Sequence, residues 1–299
     1  MVPPRPIALA LALAAFASPG AARAYCRAAT CNDQGAICNP AQPDDCDDTQ
    51  YRPLVWKRTC VGIAVQEDAS KQVEYTSAKE VLRQSFEAWT GADCGGGDSP
   101  QIRVEILNKV QCGKVEYNNA GGNVNVLVFR DKSWPHPSGP HNVALTTVTY
   151  DKKTGEIYDA DIEVNSAQYA LTTSQTTGEY DLRSILTHEA GHFLGMAHSP
   201  LSEATMFASY NPGTTDFRTL DPDDVNGICA IYDPGAPIKT CNPISRHGYS
   251  PACAGEQTEG TCGFAPVPNG RWHLGLAALA LVVAAATGRS AGRYRRRSP

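Results

Sequence analysis

Apolar side chains recur along residues 59–232 with two different periods. Ala78, Val81, Leu82, Ser85, Phe86 and Trp89 keep helical spacing and predict one buried helix face. Ser77-Ala78-Lys79-Glu80 reads as the capping box that starts this helix, and Gly91 as its stop. Around that helix the period is two. Thr59 to Val65 reads as a strand, Ile102, Val104 and Ile106 alternate within Gln101 to Leu107, and Val124, Val126 and Val128 alternate within Asn123 to Val128. Asn142 to Tyr150 and Glu156 to Asn165 are two more strands, joined by a turn at Asp151 to Gly155. In the second of these Tyr158, Ala160, Ile162 and Val164 share one face; Asp159, Asp161 and Glu163 share the other, expected to be solvated, with a calcium site at Asp159 or Asp161 as the alternative. A second helical stretch runs from Asp181, its apolar arc formed by Leu182, Leu186, Ala190, Phe193 and Leu194, and Gly195 ends it. Asp221-Pro222-Asp223-Asp224 opens a last helix with a cap, a proline in the first turn and acids at the positive end of the dipole; Val225, Ile228, Cys229 and Tyr232 give its buried face.

The ends of the chain lack this regularity. Residues 1–24 open with Arg5, continue as an apolar run from Ile7 to Phe16 and finish in Ala22-Arg23-Ala24, the pattern of a cleaved export signal. All eleven cysteines would then face an oxidising compartment, where they pair as disulfides. An odd count leaves one over, expected to be Cys262. Residues 25–50 hold Cys26, Cys31, Cys38 and Cys46 among polar residues and read as a disulfide-stapled extension unable to build a core. The folded domain is expected over 51–235, and 236–270, rich in Pro and Gly, as a stalk. Residues 271–299 combine an apolar run, Trp272 to Thr287, with Arg289, Arg293, Arg295, Arg296 and Arg297, the composition of a transmembrane or sorting tail with its arginines on the cytoplasmic side. A net charge of -5 gives no footing for a nucleic-acid partner.

The chemistry concentrates in His188-Glu189-Ala190-Gly191-His192-Phe193-Leu194-Gly195-Met196-Ala197-His198. Two histidines four apart project from one helix face, so both rings can reach one cation, and a turn at Gly195 lets His198 supply a third nitrogen. Three imidazoles with an open fourth position suit a catalytic zinc ion, and Glu189, one residue round, is placed to touch a water there without being a ligand. Two surface histidines on an ordinary helix are the bland alternative.

The long motif H-E-x-x-H-x-x-G-x-x-H, followed by Met206 in Ala204-Thr205-Met206-Phe207, resembles the metzincin metallopeptidases. Ser199 after the third histidine, Tyr210 four residues after Met206 and Asp223-Asp224-Val225-Asn226-Gly227-Ile228 resemble the matrixins in particular, as does Gly139-Pro140-His141-Asn142-Val143 before the strand that pairs substrate in that family. The resemblance implies an α+β fold, with a twisted mixed five-stranded sheet, three helices and the zinc in a cleft. It implies a zinc metalloendopeptidase acting on protein or peptide substrates, with His188, His192 and His198 as ligands, Glu189 as general base, Met206 beneath the metal and Asp224 pinning that turn to the last helix. Substrate would pair as a strand with Val143 to Thr146. Phe207, Tyr210, Ala144 and Leu145 would line the pocket for the residue after the cut. The family's second zinc is held by histidines whose positions are taken here by Thr146, Asp161 and the 131–133 region, so one zinc is expected, and His136 and His141 read as plain loop residues. Cys46 or a neighbouring aspartate covering the zinc is an alternative role for the N-terminal extension, although the matrixin latency motif is absent. The tail is similar to sorting tails of myxobacterial surface proteins, with Cys262-Gly263 in reversed order. Together these readings describe a monomeric enzyme exported to the cell surface, outer membrane or medium, tethered by its C-terminal segment until processed; the rival is a catalytically silent surface protein that keeps the fold.

Overall fold

In the computed structural model, residues 25–30, 36–37, 52–137, 139–174, 178–235, 240–253 and 292–295 are described. The export signal, Cys31, Cys38, Cys46, Cys262 and the apolar tail segment lie outside them. The sheet contains β3 (Cys60–Val65), β4 (Arg103–Ile106), β5 (Asn125–Phe129), β6 (Ala144–Tyr150) and β7 (Ile157–Val164) in the order β4-β3-β5-β7-β6, all parallel except β6. Short pairs are formed by β1 (Arg27–Ala28) with β2 (Ala36–Ile37) and by β8 (Leu171–Thr172) with β9 (Tyr180–Asp181). The helices are α1 (Tyr75–Thr90), α2 (Leu182–Phe193) and α3 (Pro222–Ile231), with a 3-10 turn at Asp216–Arg218. Among the described residues these five strands and three helices make the α+β architecture expected, and a sixth strand joins at the β6 edge. A strand β10 (Gly292–Arg295), from the arginine-rich end expected beside a membrane, pairs with Thr147 to Tyr150 of β6 and stops short of Ala144 to Thr146. Among the described residues no helix is long and apolar enough to cross a membrane.

Parallel strands are ordinarily covered on both faces, and here they are. One face carries α1 and α2, with Ile63, Val65, Leu127, Ile162 and Val164 packed beneath Leu82, Phe86, Leu186 and Phe193. The other face buries Ala64, Val110, Val124, Val126 and Val128 beneath Leu107 and Tyr249. Residues 240–253 therefore are not a free stalk. They form a strap held by Cys60–Cys241 and Cys112–Cys253, with Asn123 bridging to Tyr249. A Cβ on Gly62 would lie 2.8 Å from the carbonyl oxygen of Pro243, so the strap's approach requires glycine there. Cys94–Cys229 ties the end of α1 to α3.

The N-terminal extension differs from expectation in the same way. Tyr25 and Ala28 join the main core, Ala28 N–H donates to the carbonyl of Gly195, and Leu54 N–H donates to that of Ala28. Residues 25–29 gain their burial from the rest of the fold, which composition alone does not reveal. The capping box at Ser77 is also not used. Tyr75 packs on the core and draws the helix start forward to Glu74, which makes no side-chain cap, while Glu80 bonds Arg83 and Gln84.

The acidic side of β7 alternates as its sequence suggests but is buried, because residues 112–123 and the 130–137 loop cover it. Asp159, Asp161 and Glu163 are each at most 2% exposed. Asp161 accepts from Val126 N–H at 2.9 Å and Glu116 N–H at 3.1 Å; Glu163 takes Arg130 Nε at 2.6 Å and His136 Nε2 at 2.8 Å. His136 is thus a buried partner of Glu163, not a plain loop residue.

Burial, reinforced by the neighbouring Asp159, pushes the Asp161 carboxyl well above its usual range. The folded chain then keeps a proton that the unfolded chain has lost. The resulting stabilisation is complete below the unfolded aspartate pKa of about 3.9 and is lost as pH rises through the folded value. The wild-type melting temperature should therefore fall, relative to that of Asp161→Asn, as pH is raised from about 4. Melts of both proteins at stepped pH measure this, and a constant offset between the curves would remove Asp161 as the source.

Candidate metal centre and active site

The α2 helix is fixed at both ends. At its start the Asp181 carboxylate accepts from the backbone N–H and hydroxyl of Ser184, both at 2.8 Å, and from the Nε and a terminal nitrogen of Arg218 at 2.9 and 2.5 Å. At its end Leu194 caps the helix and Gly195, with φ +95°, turns the chain. Side-chain room is absent there too, since a Cβ on Gly195 would lie 2.6 Å from the carbonyl oxygen of Leu54. Ala197 N–H donates to Cys26, so the N-terminal segment buttresses the turn carrying His198.

Midway, Gly191 lets the helix come against the structure behind it. A Cβ there would meet Met206 Sδ at 2.2 Å and the Trp89 ring at 2.7 Å. Trp89 Nε1 donates to the carbonyl of Thr187 at 2.7 Å, locking the same contact. Met206 is fully buried, and its turn hangs from Asp224, which accepts from Thr205 N–H at 2.7 Å and Met206 N–H at 3.1 Å. Burial raises the Asp224 carboxyl to about 6 despite these bonds. Ser199, next to the third histidine, donates to Asp223 at 2.7 Å.

This frame orients the imidazoles. His188 Nδ1 lies 2.7 Å from the carbonyl oxygen of Thr205 and His192 Nδ1 lies 3.0 Å from that of Met196, so each Nδ1 is the natural proton carrier and each Nε2 keeps its lone pair. The Nε2 atoms of His192 and His198 stand 3.1 Å apart, and one ring nitrogen from each of the three histidines falls within 4.8 Å of the others. His188 Nε2 is buried with no hydrogen-bond partner, and burial lowers that ring to about 4, making it neutral at pH 7. Three ring nitrogens converging on one point, that of His188 neutral and without a protein partner, fit a zinc ion with its fourth position open. Among the described residues the other metal-capable groups are the Cys60–Cys241 and Cys112–Cys253 disulfides, each beside a glutamate.

A pocket opens beside His188 and Glu189, lined also by Val143, Ala144, Ser184, Ile185, Phe207, Ala208, Tyr210 and Phe217. Of the residues expected from the resemblance to line a substrate pocket, Phe207, Tyr210 and Ala144 lie on this wall. Leu145 does not: alternation along β6 turns it to the opposite face, opposite Glu163. The same alternation sends Thr146 toward α2, and it is Thr147, paired with Asp161, that occupies the outer face on which a second metal was considered. Phe217 and Ser184 escaped sequence reasoning. Ser184 stands one helical turn before His188, a spacing that would have found it; nothing local marks Phe217.

The matrixin family model matches residues 55–233, more than half of the chain. The chain belongs to the matrixin family. Membership supports a zinc metallopeptidase domain of metzincin type, with zinc as the implied cofactor. This matrixin is similar to human neutrophil collagenase, 26% identical over 65% of the chain and 36% of the relative, and to human matrix metalloproteinase-19, 38% identical over 54% and 27%. It is also similar to metalloendoproteinase 1 of Glycine max, 40% identical over 25% of this chain and 24% of that protein. The matched region spans about a third or less of the length of these relatives.

Gly191→Ala should lower the stability of the matrixin domain by at least about 1–3 kcal/mol, since the added methyl must displace Met206 or Trp89 from a packed core. Urea unfolding of the metal-free protein measures this; an unchanged midpoint would show that the helix contact gives way freely.

Proposed function

We propose that this matrixin is an exported zinc endopeptidase that cleaves extended protein segments. The observation that carries the reading is the convergence of the His188, His192 and His198 ring nitrogens beside Glu189, at a pocket bordered by Val143 and Ala144. His188, His192 and His198 would hold the ion, which when bound polarises a carbonyl and makes water more acidic. A substrate strand would hydrogen-bond along Val143 to Thr146, presenting its scissile bond to the cleft. Glu189 takes a proton from the attacking water and delivers it to the leaving nitrogen as the C–N bond breaks. Burial of Glu189, 1% exposed, keeps that carboxylate out of bulk solvent. The oxidative cross-links Cys60–Cys241, Cys94–Cys229 and Cys112–Cys253 support export, since such bonds persist outside reducing compartments.

The protein purified without added zinc should carry about one equivalent per chain, the three-histidine stoichiometry. Glu189→Ala should retain it while losing turnover by about 10²-fold or more, because the carboxylate is base and not ligand. Elemental analysis and peptide digestion read the two quantities; wild-type rates in Glu189→Ala would end the mechanism.

The pocket beside His188 is walled by Ile185, Phe207, Ala208, Tyr210 and Phe217. A Leu or Phe side chain entering it gains about 1.5–3 kcal/mol of burial, whereas an acid loses hydration with no charge partner. Cut-site profiling should show Leu, Met, Phe and Tyr after the cleaved bond; a dominant Asp, Glu or Arg there would displace the pocket assignment and leave the zinc chemistry standing.

A further inference from the structure

On its helix-facing side β6 presents Ala144, Thr146, Val148 and Tyr150. Ala144 and Val148 are apolar and almost wholly buried. A hydroxyl between them is out of keeping with its surroundings, because a buried polar group without a partner is costly. Thr146 is fully buried, and its Oγ1 lies 2.6 Å from Oε2 of Glu189 and 3.2 Å from the backbone carbonyl of the same residue. A hydroxyl has one proton to give, and the shorter distance is that of a charge-assisted bond to a carboxylate.

We propose that Thr146 is a positioning residue for the general base, holding one carboxylate oxygen of Glu189 in a fixed place relative to the strand on which substrate lies. The inference rests on the peptidase reading above. A glutamate has three rotatable bonds and loses much side-chain freedom when held in one place. Thr146 supplies the restraint from a β-branched side chain whose own torsion is narrowly limited and whose strand is anchored to β7 opposite Ile162. Base and substrate are then both referenced to β6. The bond gives the carboxylate an orientation that the neighbouring helix backbone cannot supply, and it recruits a position that carries no sequence motif.

The test uses the purified protein in four forms: wild type, Glu189→Ala, Thr146→Val, which swaps the hydroxyl for a methyl at nearly constant shape, and Thr146→Ser, which keeps it. On a fluorogenic peptide Thr146→Val should lose about ten- to a hundred-fold in kcat, with KM within about three-fold, as expected for a misplaced base. It should keep one zinc per chain, and Thr146→Ser should recover most of the rate. A crystal structure of Thr146→Val should show the Glu189 carboxylate displaced from its wild-type position. Wild-type kcat in Thr146→Val, or an unmoved carboxylate, would overturn the inference. So would a loss of zinc or cooperative melting in Thr146→Val that matches the loss of rate, which assigns Thr146 to folding alone. If wild type and Glu189→Ala are equally inactive on every peptide, the peptidase reading fails, while the crystallographic arm still decides whether Thr146 places the carboxylate.

Discussion

A buried imidazole nitrogen that finds no partner among the described protein atoms is the constraint around which this molecule is arranged. Burying a polar group is costly unless something bonds it, and the His188 Nε2 atom, without a protein partner, is suited to a metal ion. The surrounding contacts hold the ring in that orientation. Its Nδ1 is fixed by the carbonyl of Thr205, the Thr205 N–H is fixed by Asp224, and Asp224 sits in the first turn of α3, where it also accepts from the N–H of Asp221. Helix α3 is in turn tied to α1 by Cys94–Cys229. One chain of bonds thus runs from the three-histidine cluster through the Met206 turn to the far side of the core. On the proposed function, a ligand set already held in place would bind its ion with little reorganisation, and folding and metal affinity would be linked.

Seen from that centre, segments that look dispensable in the sequence acquire definite tasks. Residues 25–29 pair with the Gly195 to Ala197 turn, which would otherwise hold His198 through a few loop bonds alone. The 240–253 strap lies over the far face of the mixed sheet, where no helix packs among the described residues. Its disulfides join residues 181 and 141 positions apart, the long loops for which a cross-link removes most unfolded-state freedom. Neither segment has enough apolar residues to fold alone; each is ordered by surfaces the central domain provides.

What could be read in advance divides along that line. The helix carrying His188 and His192, the glycine that ends it, the alternating strands and the proline-opened last helix are written in local spacing, and local spacing is what a single sequence exposes. The misreadings share a non-local cause. Ser77 has cap chemistry, but tertiary packing of Tyr75 moved the helix start. Asp159, Asp161 and Glu163 alternate like a solvated face, yet residues more than 20 positions away cover them. The one-residue difference between Thr146 and Thr147 decides which threonine meets the active site and which meets the outer face. Strand register of that kind depends on the partner strand and is invisible from either strand alone.

The outer face of the sheet carries a network of its own. Arg130 and His136 converge on Glu163, with Arg130 also bonding the carbonyl of Gly113, while Asp131 gathers the hydroxyls of Ser70 and Ser166 and the N–H of Lys71. These bonds bracket the loop that leads into β6. Buried ion pairs often add little net stability, because desolvation offsets the attraction. Their geometric demands are nonetheless strict, since an arginine and an imidazole can share one carboxylate only when the loop backbone sits in one place. The loop they hold ends at Val143 and Ala144, which form the rim of the pocket beside His188. Charged groups on the outer face therefore set the path of the strand that borders the cleft, and the sheet carries that placement through to the side where Thr146 meets Glu189.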